Sequence, residues 1–238
     1  MIHFIGFIFS NIIYNPILNL LVGLYNIIPG HDIGVVIILV TIVIRLLLAP
    51  FMHKSLKSQK VMSALQPKMA ELKEKHKDDP REHMKAMTAL YKEHNVSPFS
   101  SFLPLLIQLP ILIALYQVFA KALKGNLAGL YSFVHNPGIL NPKFLGLIDL
   151  SHPNIIFAII AGLTQFWQSW MITKWQNNTN ADPTTKALNT NVMYIFPLVS
   201  VYIAWKLPAA LPLYWIVTTL FAIGQQYYIN KTHKVEIK

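Results

Sequence analysis

The sequence has no cysteine and little charge. None of its 238 residues is Cys, and only 13% are Asp, Glu, Lys or Arg. Without cysteine, disulfides, thiolate nucleophiles and cysteine-ligated metals are excluded. By contrast, 54% of the residues are hydrophobic and the mean hydropathy is +0.44, which is more apolar surface than a soluble core of this size can bury. We therefore expect a membrane protein.

Acidic residues are scarce relative to basic ones. The chain has 10 Asp and Glu against 20 Lys and Arg, a formal net charge of +10. The basic residues lie mainly in residues 53–98 and in short segments beside apolar runs, a placement typical of the cytoplasmic loops of membrane proteins. The placement of the basic residues therefore predicts which segments face the cytoplasm, and it does not indicate a DNA partner. Residues 53–98 also suit contact with acidic lipid or ribosomal RNA.

Long apolar runs recur along the chain. A transmembrane helix needs about 20 mostly apolar residues, and the runs predict an all-α polytopic membrane protein, a five-span helical bundle. Basic residues after the first span and at the C-terminus predict an outer N-terminus and a cytoplasmic C-terminus. The predicted spans are 33–52, 99–120, 154–173, 191–205 and a fifth that ends near Ile229. The predicted division is 1–30 (N-terminal helix), 31–52 (first span), 53–98 (cytoplasmic hairpin), 99–229 (spans two to five, with an outer interfacial loop at 121–152) and 230–238 (basic cytoplasmic tail).

The N-terminal segment is apolar but carries a polar arc. Four Asn residues share one narrow arc of a helical wheel, and Pro16 interrupts the run; the four are Asn11, Asn15, Asn19 and Asn26. This pattern favours an amphipathic helix at the membrane interface over a kinked span, and both interpretations stay open. Residues 1–9 contain no Lys or Arg and no small-residue cleavage site follows, so we expect the segment to be retained.

The polar segment 53–98 has the pattern of a helical hairpin. Apolar and His residues recur at steps of three and four on both sides of Asp78-Asp79-Pro80. This spacing predicts an antiparallel coiled-coil hairpin, with a kink at Pro67. The residues predicted for docking of partners are the basic side chains near its tip, Lys68, Lys73, Lys75, Lys77 and Arg81.

One permanent charge lies inside the first predicted span. Arg45 cannot lose its proton, and a charge at the centre of a membrane helix costs about 2.5 to 3.5 kcal/mol. Its side chain either reaches the cytoplasmic headgroups, about 10 Å away along the helix, or lines a hydrated groove. The groove is favoured because polar residues occur at similar depth in other spans. The candidate groove and client-contact residues are Arg45, Thr41, Gln108, Gln165, Gln168 and Trp215.

No pattern supports catalysis or metal binding. The predicted spans contain no paired Asp or Glu, the nine His form no HExxH or HxxxH pair, and no Gly-rich phosphate loop is present. The sequence therefore predicts no enzyme, no cofactor and no metal site. It also has no internal repeat, which argues against an alternating-access transporter.

Four ordered segments resemble the YidC family of membrane insertases, which includes the mitochondrial oxidase-assembly and chloroplast Albino proteins. They are VTIVIRLLLAPFMHKSLKSQKVMSALQPKMAELKEKH from Val40, FLPLLIQLPILIALYQVF from Phe102, FLGLIDLSHPN from Phe144 and FPLVSVYIAWKLPAALPLYWIVTTLF from Phe196. The resemblance covers nearly the whole chain and implies a five-span core with a cytoplasmic hairpin and a hydrophilic groove that holds Arg45. It also implies that Trp215 and either Gln165 or Gln168 line that groove.

The function that the resemblance implies is insertion of membrane proteins at the bacterial inner (plasma) membrane. The implied partners are nascent or newly made membrane proteins and lipids, with the ribosome, the signal recognition particle receptor pathway and the Sec translocon as further candidates. Hydrophobic segments and short polar flanks of clients would enter the bilayer through the Arg45 groove without ATP. Two alternatives stay open, a small channel or ion-coupled transporter and a passive assembly chaperone.

Overall fold

The fold is almost entirely helical. A computed structural model describes residues 2–101, 103–175 and 183–232. The predicted cytoplasmic tail continues after Thr232, and its residues 233–238 lie outside the described residues. The helices are α1 (Ile2–Phe9), α2 (Asn15–Ile27), α3 (Ile33–Ala64), α4 (Gln66–Lys75), α5 (Pro80–Glu93), α6 (Leu103–Ala122), α7 (Ile155–Trp175), α8 (Pro183–Lys206) and α9 (Ala210–Thr232).

Short elements connect these helices. A π-helical turn, Ser10–Tyr14, joins α1 to α2, and a 3-10 turn, Pro98–Ser101, precedes α6. Two short antiparallel strands, β1 (Lys143–Phe144) and β2 (Ile148–Asp149), form a hairpin in the connection between α6 and α7. Pro16 lies in the first turn of α2, directly after the π-helical turn, where a missing backbone donor is tolerated.

Three helical segments are long and apolar enough to cross a bilayer. Among the described residues they are Gly6–Ile27, Ile33–Ala64 and Ile155–Lys174, while α6 and α8 contain shorter apolar stretches, Leu106–Ala122 and Met193–Lys206. This result supports a multi-pass membrane protein. The count of five spans stays a prediction, and so does the placement of the N-terminal helix at the interface, because Gly6–Ile27 has the length of a span.

The bundle has two different ends. At one end of the bundle, which we call the loop end, residues 123–154 connect α6 to α7. The other end carries α4 and α5, and we call it the hairpin end. The buried apolar core lies towards the loop end and takes residues from α2, α3, α6, α9 and the connection itself; its fully buried members include Leu18, Val36, Leu115, Leu140 and Leu150. The loop end is therefore the tightly packed end of the bundle.

The Asn arc of α2 binds the connection at the loop end. The buried Asn19 amide donates to the carbonyl of Gly129 at 2.9 Å, and its oxygen accepts from the amide of Tyr131 at 2.7 Å. Asn26 donates to the carbonyl of His135 at 2.7 Å. The sequence pattern assigned this arc to the membrane interface. Two of its residues instead bind backbone groups of residues 129–135 and so fix that segment against α2.

The start of α3 is tied to the same connection. The Asp32 carboxylate caps α3 by accepting from the amides of Gly34 and Val35 at 2.8 and 3.0 Å, and its second oxygen accepts from the amide of Leu145 at 2.5 Å. At Gly34 a β-carbon would lie 2.1 Å from the Phe144 ring. The close contact between α3 and β1 therefore requires glycine at position 34.

α3 continues without interruption from the first predicted span into the polar region at the hairpin end, with Pro50 inside the helix. It ends at Ala64, and α4 starts at Gln66 with Pro67 in its first turn, so the helix breaks beside the predicted kink. Asp79 caps α5, which packs against α4. Leu65 and Leu90 are buried, whereas Met84 is exposed. Two packed helices are thus present where the hairpin was expected, and the coiled-coil seam stays a prediction.

Candidate functional site

One face of α3 follows the helix from the first predicted span towards the hairpin end. Arg45, Met52, Leu56 and Gln59 are separated by seven, four and three residues, so they lie on the same side of the helix. All four line a cavity of about 460 Å³, which we call the polar cavity. The helix therefore places a charged residue at the inner part of the cavity and an amide near the hairpin end.

Helices α3, α6, α7, α8 and α9 all contribute to the polar cavity. Apart from the α3 face, its polar lining consists of Gln108, Gln165, Gln168, Tyr214, Trp215, Thr218, Thr219, Gln225 and Gln226. Among the described residues that line it, none is Asp or Glu. The cavity therefore offers one permanent cation and many neutral hydrogen-bonding groups.

Arg45 is held by its neighbours inside the bundle. Its side chain is only 7% exposed, and it donates to Gln108 Oε1 at 2.6 Å. Gln108 Nε2 in turn donates to the Tyr214 hydroxyl at 2.5 Å. Because a guanidinium has only donors, Gln108 must present its oxygen to Arg45, which leaves the amide nitrogen for Tyr214. The three side chains link α3, α6 and α9.

A second hydrogen-bonded group of three side chains lies on the α7 side of the cavity. Trp215 Nε1 donates to Gln165 Oε1 at 3.3 Å, and Gln165 Nε2 lies 3.4 Å from Gln168 Oε1. Both glutamines line the cavity. The structure therefore brings Gln165 and Gln168 to the same site and does not require a choice between them.

Two buried polar atoms belong to residues that line the cavity and have no hydrogen-bond partner in the described part of the chain. Thr218 Oγ1 and Gln226 Oε1 make no hydrogen bond among the described residues, although the two residues are only 9% and 8% exposed. An unsatisfied buried polar group costs about 1 to 3 kcal/mol. Both groups therefore lie beside the polar cavity without a hydrogen bond among the described residues that offsets their burial.

The remaining predicted site residues lie elsewhere. The buried Thr41 hydroxyl donates to the carbonyl of Ile37 at 2.6 Å within α3, and Thr41 is not among the residues that line the cavity. On the hairpin, Lys73, Lys75, Lys77 and Arg81 are exposed and Lys68 is half-buried. The predicted groove residues other than Thr41 therefore come together, and the predicted docking residues form a separate surface.

Sequence reasoning missed the contribution of α9 beyond Trp215. Tyr214, Thr218 and Gln226 line the cavity. A signal was present, because a Gln pair at 225 and 226 is unusual within an apolar helix and polar groups there serve packing or a cavity.

Among the described residues no group of three or more potential metal ligands occurs.

Comparisons with known proteins match nearly the whole chain. A family model described as 60Kd inner membrane protein matches residues 23–236. A relative from Clostridium tetani is 36% identical over 204 residues, which is 85% of this chain and 84% of that protein. A relative from Geotalea daltonii is 37% identical over 204 residues, 85% of this chain and 34% of that protein.

A relative from Syntrophus aciditrophicus is 37% identical over 218 residues, 91% of this chain and 36% of that protein. All three relatives carry the name membrane protein insertase YidC. The chain therefore spans most of the Clostridium protein and about a third of the length of the other two.

Proposed function

We propose that this chain, which belongs to the 60Kd inner membrane protein family and is similar to relatives named membrane protein insertase YidC, inserts client proteins into the inner membrane. Hydrophobic client segments and their short polar flanks would enter the bilayer through the polar cavity, acting as a hydrated groove, without ATP. The observation that carries this proposal is the buried Arg45, which faces a cavity whose described lining contains no Asp or Glu and many neutral polar groups.

The energetic problem lies in the polar flank of the client. A client segment of 20 apolar residues gains about 6 to 12 kcal/mol by entering lipid, at about 0.3 to 0.6 kcal/mol per residue. Two Asp residues that pass the bilayer centre cost about 5 to 7 kcal/mol on the same scale and can cancel that gain. Insertion is therefore downhill for the segment, and the protein has only to lower the cost of the flank.

A cation in a wet site lowers that cost directly. Arg45 would attract client carboxylates to the inner part of the polar cavity. Water in the cavity would keep both charges solvated. The attraction is stronger there than in bulk water because the surroundings are less polar. Gln108 and Tyr214 keep the guanidinium from folding back towards the headgroups. The interpretation of Arg45 as a snorkelling residue is therefore less favoured than the groove.

The position of the apolar core gives the groove one entrance. The core fills the loop end, and the cavity extends along α3 towards the hairpin end. We place the hairpin end in the cytoplasm, because the basic residues of the chain are concentrated there. A flank would then enter from the cytoplasm and complete only the shorter path through the loop end.

The topology that fits this mechanism has five spans, α3, α6, α7, α8 and α9. The N-terminus would lie outside and the C-terminus inside. In this topology residues 1–30 form the N-terminal helix, residues 31–52 the first span and residues 53–98 the cytoplasmic hairpin. Residues 99–229 would contain spans two to five, and residues 230–238 would form the basic cytoplasmic tail. The exposed basic residues of the hairpin would dock a partner of opposite charge, with the ribosome, the signal recognition particle receptor and the Sec translocon as candidates.

Reconstitution tests the proposed function. The purified protein would be placed in vesicles of phosphatidylethanolamine and phosphatidylglycerol, and a single-span client with two Asp in its flank would be added without nucleotide. Protease protection of the flank should exceed that in protein-free vesicles. Arg45→Ala should reduce protection of this client, while a client with two Asn in the flank should be affected less.

Two results would oppose the proposal. Equal protection with and without the protein would contradict insertion. Equal protection by the wild type and Arg45→Ala at matched protein levels would contradict the role of the cation. Ion flux through the reconstituted protein without insertion would favour the alternative of a channel or ion-coupled transporter.

A further inference from the structure

A second, smaller pocket lies at the hairpin end of the polar cavity. It has a volume of about 60 Å³ and is lined by residues of α3, α7 and α9, including Lys60, Ser63 and Asn230. We call it the mouth pocket. It shares Leu56, Gln59, Ile172 and Gln226 with the polar cavity, so the two spaces adjoin.

The mouth pocket contains a cation of its own. Lys60 is half-buried, and its ammonium donates to the backbone carbonyl of Asn230 at 3.3 Å, in the last turn of α9. Lys60 follows Arg45 by 15 residues, a separation of about 22 Å along a straight helix. Among the described residues that line either space, none is acidic. The two adjoining spaces therefore have one cation each, Lys60 near the hairpin end and Arg45 at the inner part of the polar cavity.

The two cations differ in chemistry. An ammonium is a compact, strongly hydrated charge on a flexible stem, whereas a guanidinium binds a carboxylate through two parallel hydrogen bonds. A carboxylate that meets Lys60 first can be held in a partly hydrated state and released. A carboxylate that reaches Arg45 is held in a fixed geometry. The order of the two groups suits a flank that moves inwards in two steps.

We propose that Lys60 is a specificity-determining residue that binds the carboxylates of an acidic client flank in the mouth pocket before the flank reaches Arg45. This inference rests on the proposed function and deepens it, because it adds a recognition step at the entrance of the groove. The ligand is an aspartate or glutamate side chain of an extended peptide. Asn230 also lines this space and adds a polar side chain to it.

A purely structural role for Lys60 makes a different prediction. Cations near a helix C-terminus interact favourably with its last carbonyls, and Lys60 does so at Asn230. Loss of such a contact would affect every client equally through the stability of α9. Recognition of carboxylates would affect only clients with acidic flanks, so the charge of the client separates the two roles.

The absence of cysteine permits a direct test. Gln59→Cys places the only thiol of the chain in the mouth pocket next to Lys60. The full chain would be reconstituted in vesicles and exposed to a single-span client with one Cys in a flank that carries two Asp or two Asn. With copper phenanthroline added as the oxidant, the initial rate of disulfide formation reports how often the flank occupies the pocket. Lys60→Gln and Lys60→Arg would be added to Gln59→Cys, with Lys57→Gln, an exposed residue of the same helix, as the matched control.

We expect Lys60→Gln to lower the rate with the two-Asp flank about five-fold, the factor that corresponds to about 1 kcal/mol. Lys60→Arg should restore most of the rate, and Lys57→Gln should leave it unchanged. The two-Asn flank should give the same rate in all variants. The difference between the two flanks should shrink at high salt, because salt screens charges that are accessible to water.

Two outcomes would overturn the inference while leaving the proposed function intact. In the first, Lys60→Gln has no effect on the two-Asp flank although Arg45→Ala still reduces insertion. In the second, Lys60→Gln lowers the rates of both flanks equally, as a structural role predicts. If the unmodified protein gives no protease protection above protein-free vesicles, the proposed function itself fails.

Discussion

Gln108 Oε1 accepts a hydrogen bond of 2.6 Å from the Arg45 guanidinium, although the two residues lie 63 positions apart on different helices. The bond orients a permanent charge towards the cavity, and the neutral amide does not cancel that charge. A neutral partner therefore leaves Arg45 able to attract an anion from outside the protein. An acidic partner at the same place would satisfy it internally.

Gln108→Glu should therefore reduce insertion of clients with acidic flanks. The new carboxylate would lie beside Arg45 and compete with the carboxylates of the client for the same donors. We expect a decrease of at least about ten-fold in the insertion rate of a two-Asp client, which corresponds to about 1.4 kcal/mol. Protease protection in vesicles measures it, and Gln117→Glu, on the same helix but outside the cavity lining, is the control. Unchanged insertion by Gln108→Glu would show that the charge of Arg45 is not used.

Gly34→Ala should destabilise the loop end. A β-carbon at this position meets the Phe144 ring at 2.1 Å, and overpacking of this kind costs about 1 to 3 kcal/mol. The control is Gly23→Ala in α2, where no atom lies within 4 Å of the added carbon. That change should be neutral or stabilising by about 0.5 to 1 kcal/mol. Denaturant unfolding in detergent would compare the two, and equal stabilities would argue against the close contact of α3 with β1.

Asn19→Leu should loosen the connection between α6 and α7. The change removes the hydrogen bonds to the Gly129 carbonyl and the Tyr131 amide, each of which contributes about 0.5 to 1.5 kcal/mol. Hydrogen exchange of peptides that cover residues 127–135 should become faster. Asn11→Leu provides the comparison, because Asn11 is exposed and its bonds lie within the N-terminal helical segment. Similar exchange in both variants would mean that the Asn19 bonds do not hold the connection.

The isolated polar residues of the groove could be predicted from the sequence. Arg45, Gln108 and Gln165 each interrupt a long apolar run, so their cost in a membrane pointed to a shared site. The lining from α9 was harder to foresee. That helix has polar residues on several faces, and a single sequence does not say which face meets α3. Tyr214 and Thr218 could be assigned only once the packing was known.

The Asn arc shows a second reason why prediction was incomplete. Periodicity identified the arc on α2, but a period cannot name a partner that is distant in sequence. Asn19 bonds to the carbonyl of Gly129, 110 residues away, and Asn26 bonds to that of His135. Local patterns therefore indicated a polar face, while the identity of its partner depended on how residues 123–154 fold back onto the bundle.

Water access to the polar cavity is the central claim, and thiol labelling tests it most directly. Single cysteines would replace Thr218, which lines the cavity, and Ala114, which lies in the apolar core, in a chain that has no other cysteine. A charged, membrane-impermeant maleimide would then be added separately to the hairpin side and the loop side of oriented vesicles. The account predicts that Thr218→Cys is labelled only from the hairpin side and Ala114→Cys from neither. Failure to label Thr218→Cys from the hairpin side, or labelling from the loop side alone, would contradict it.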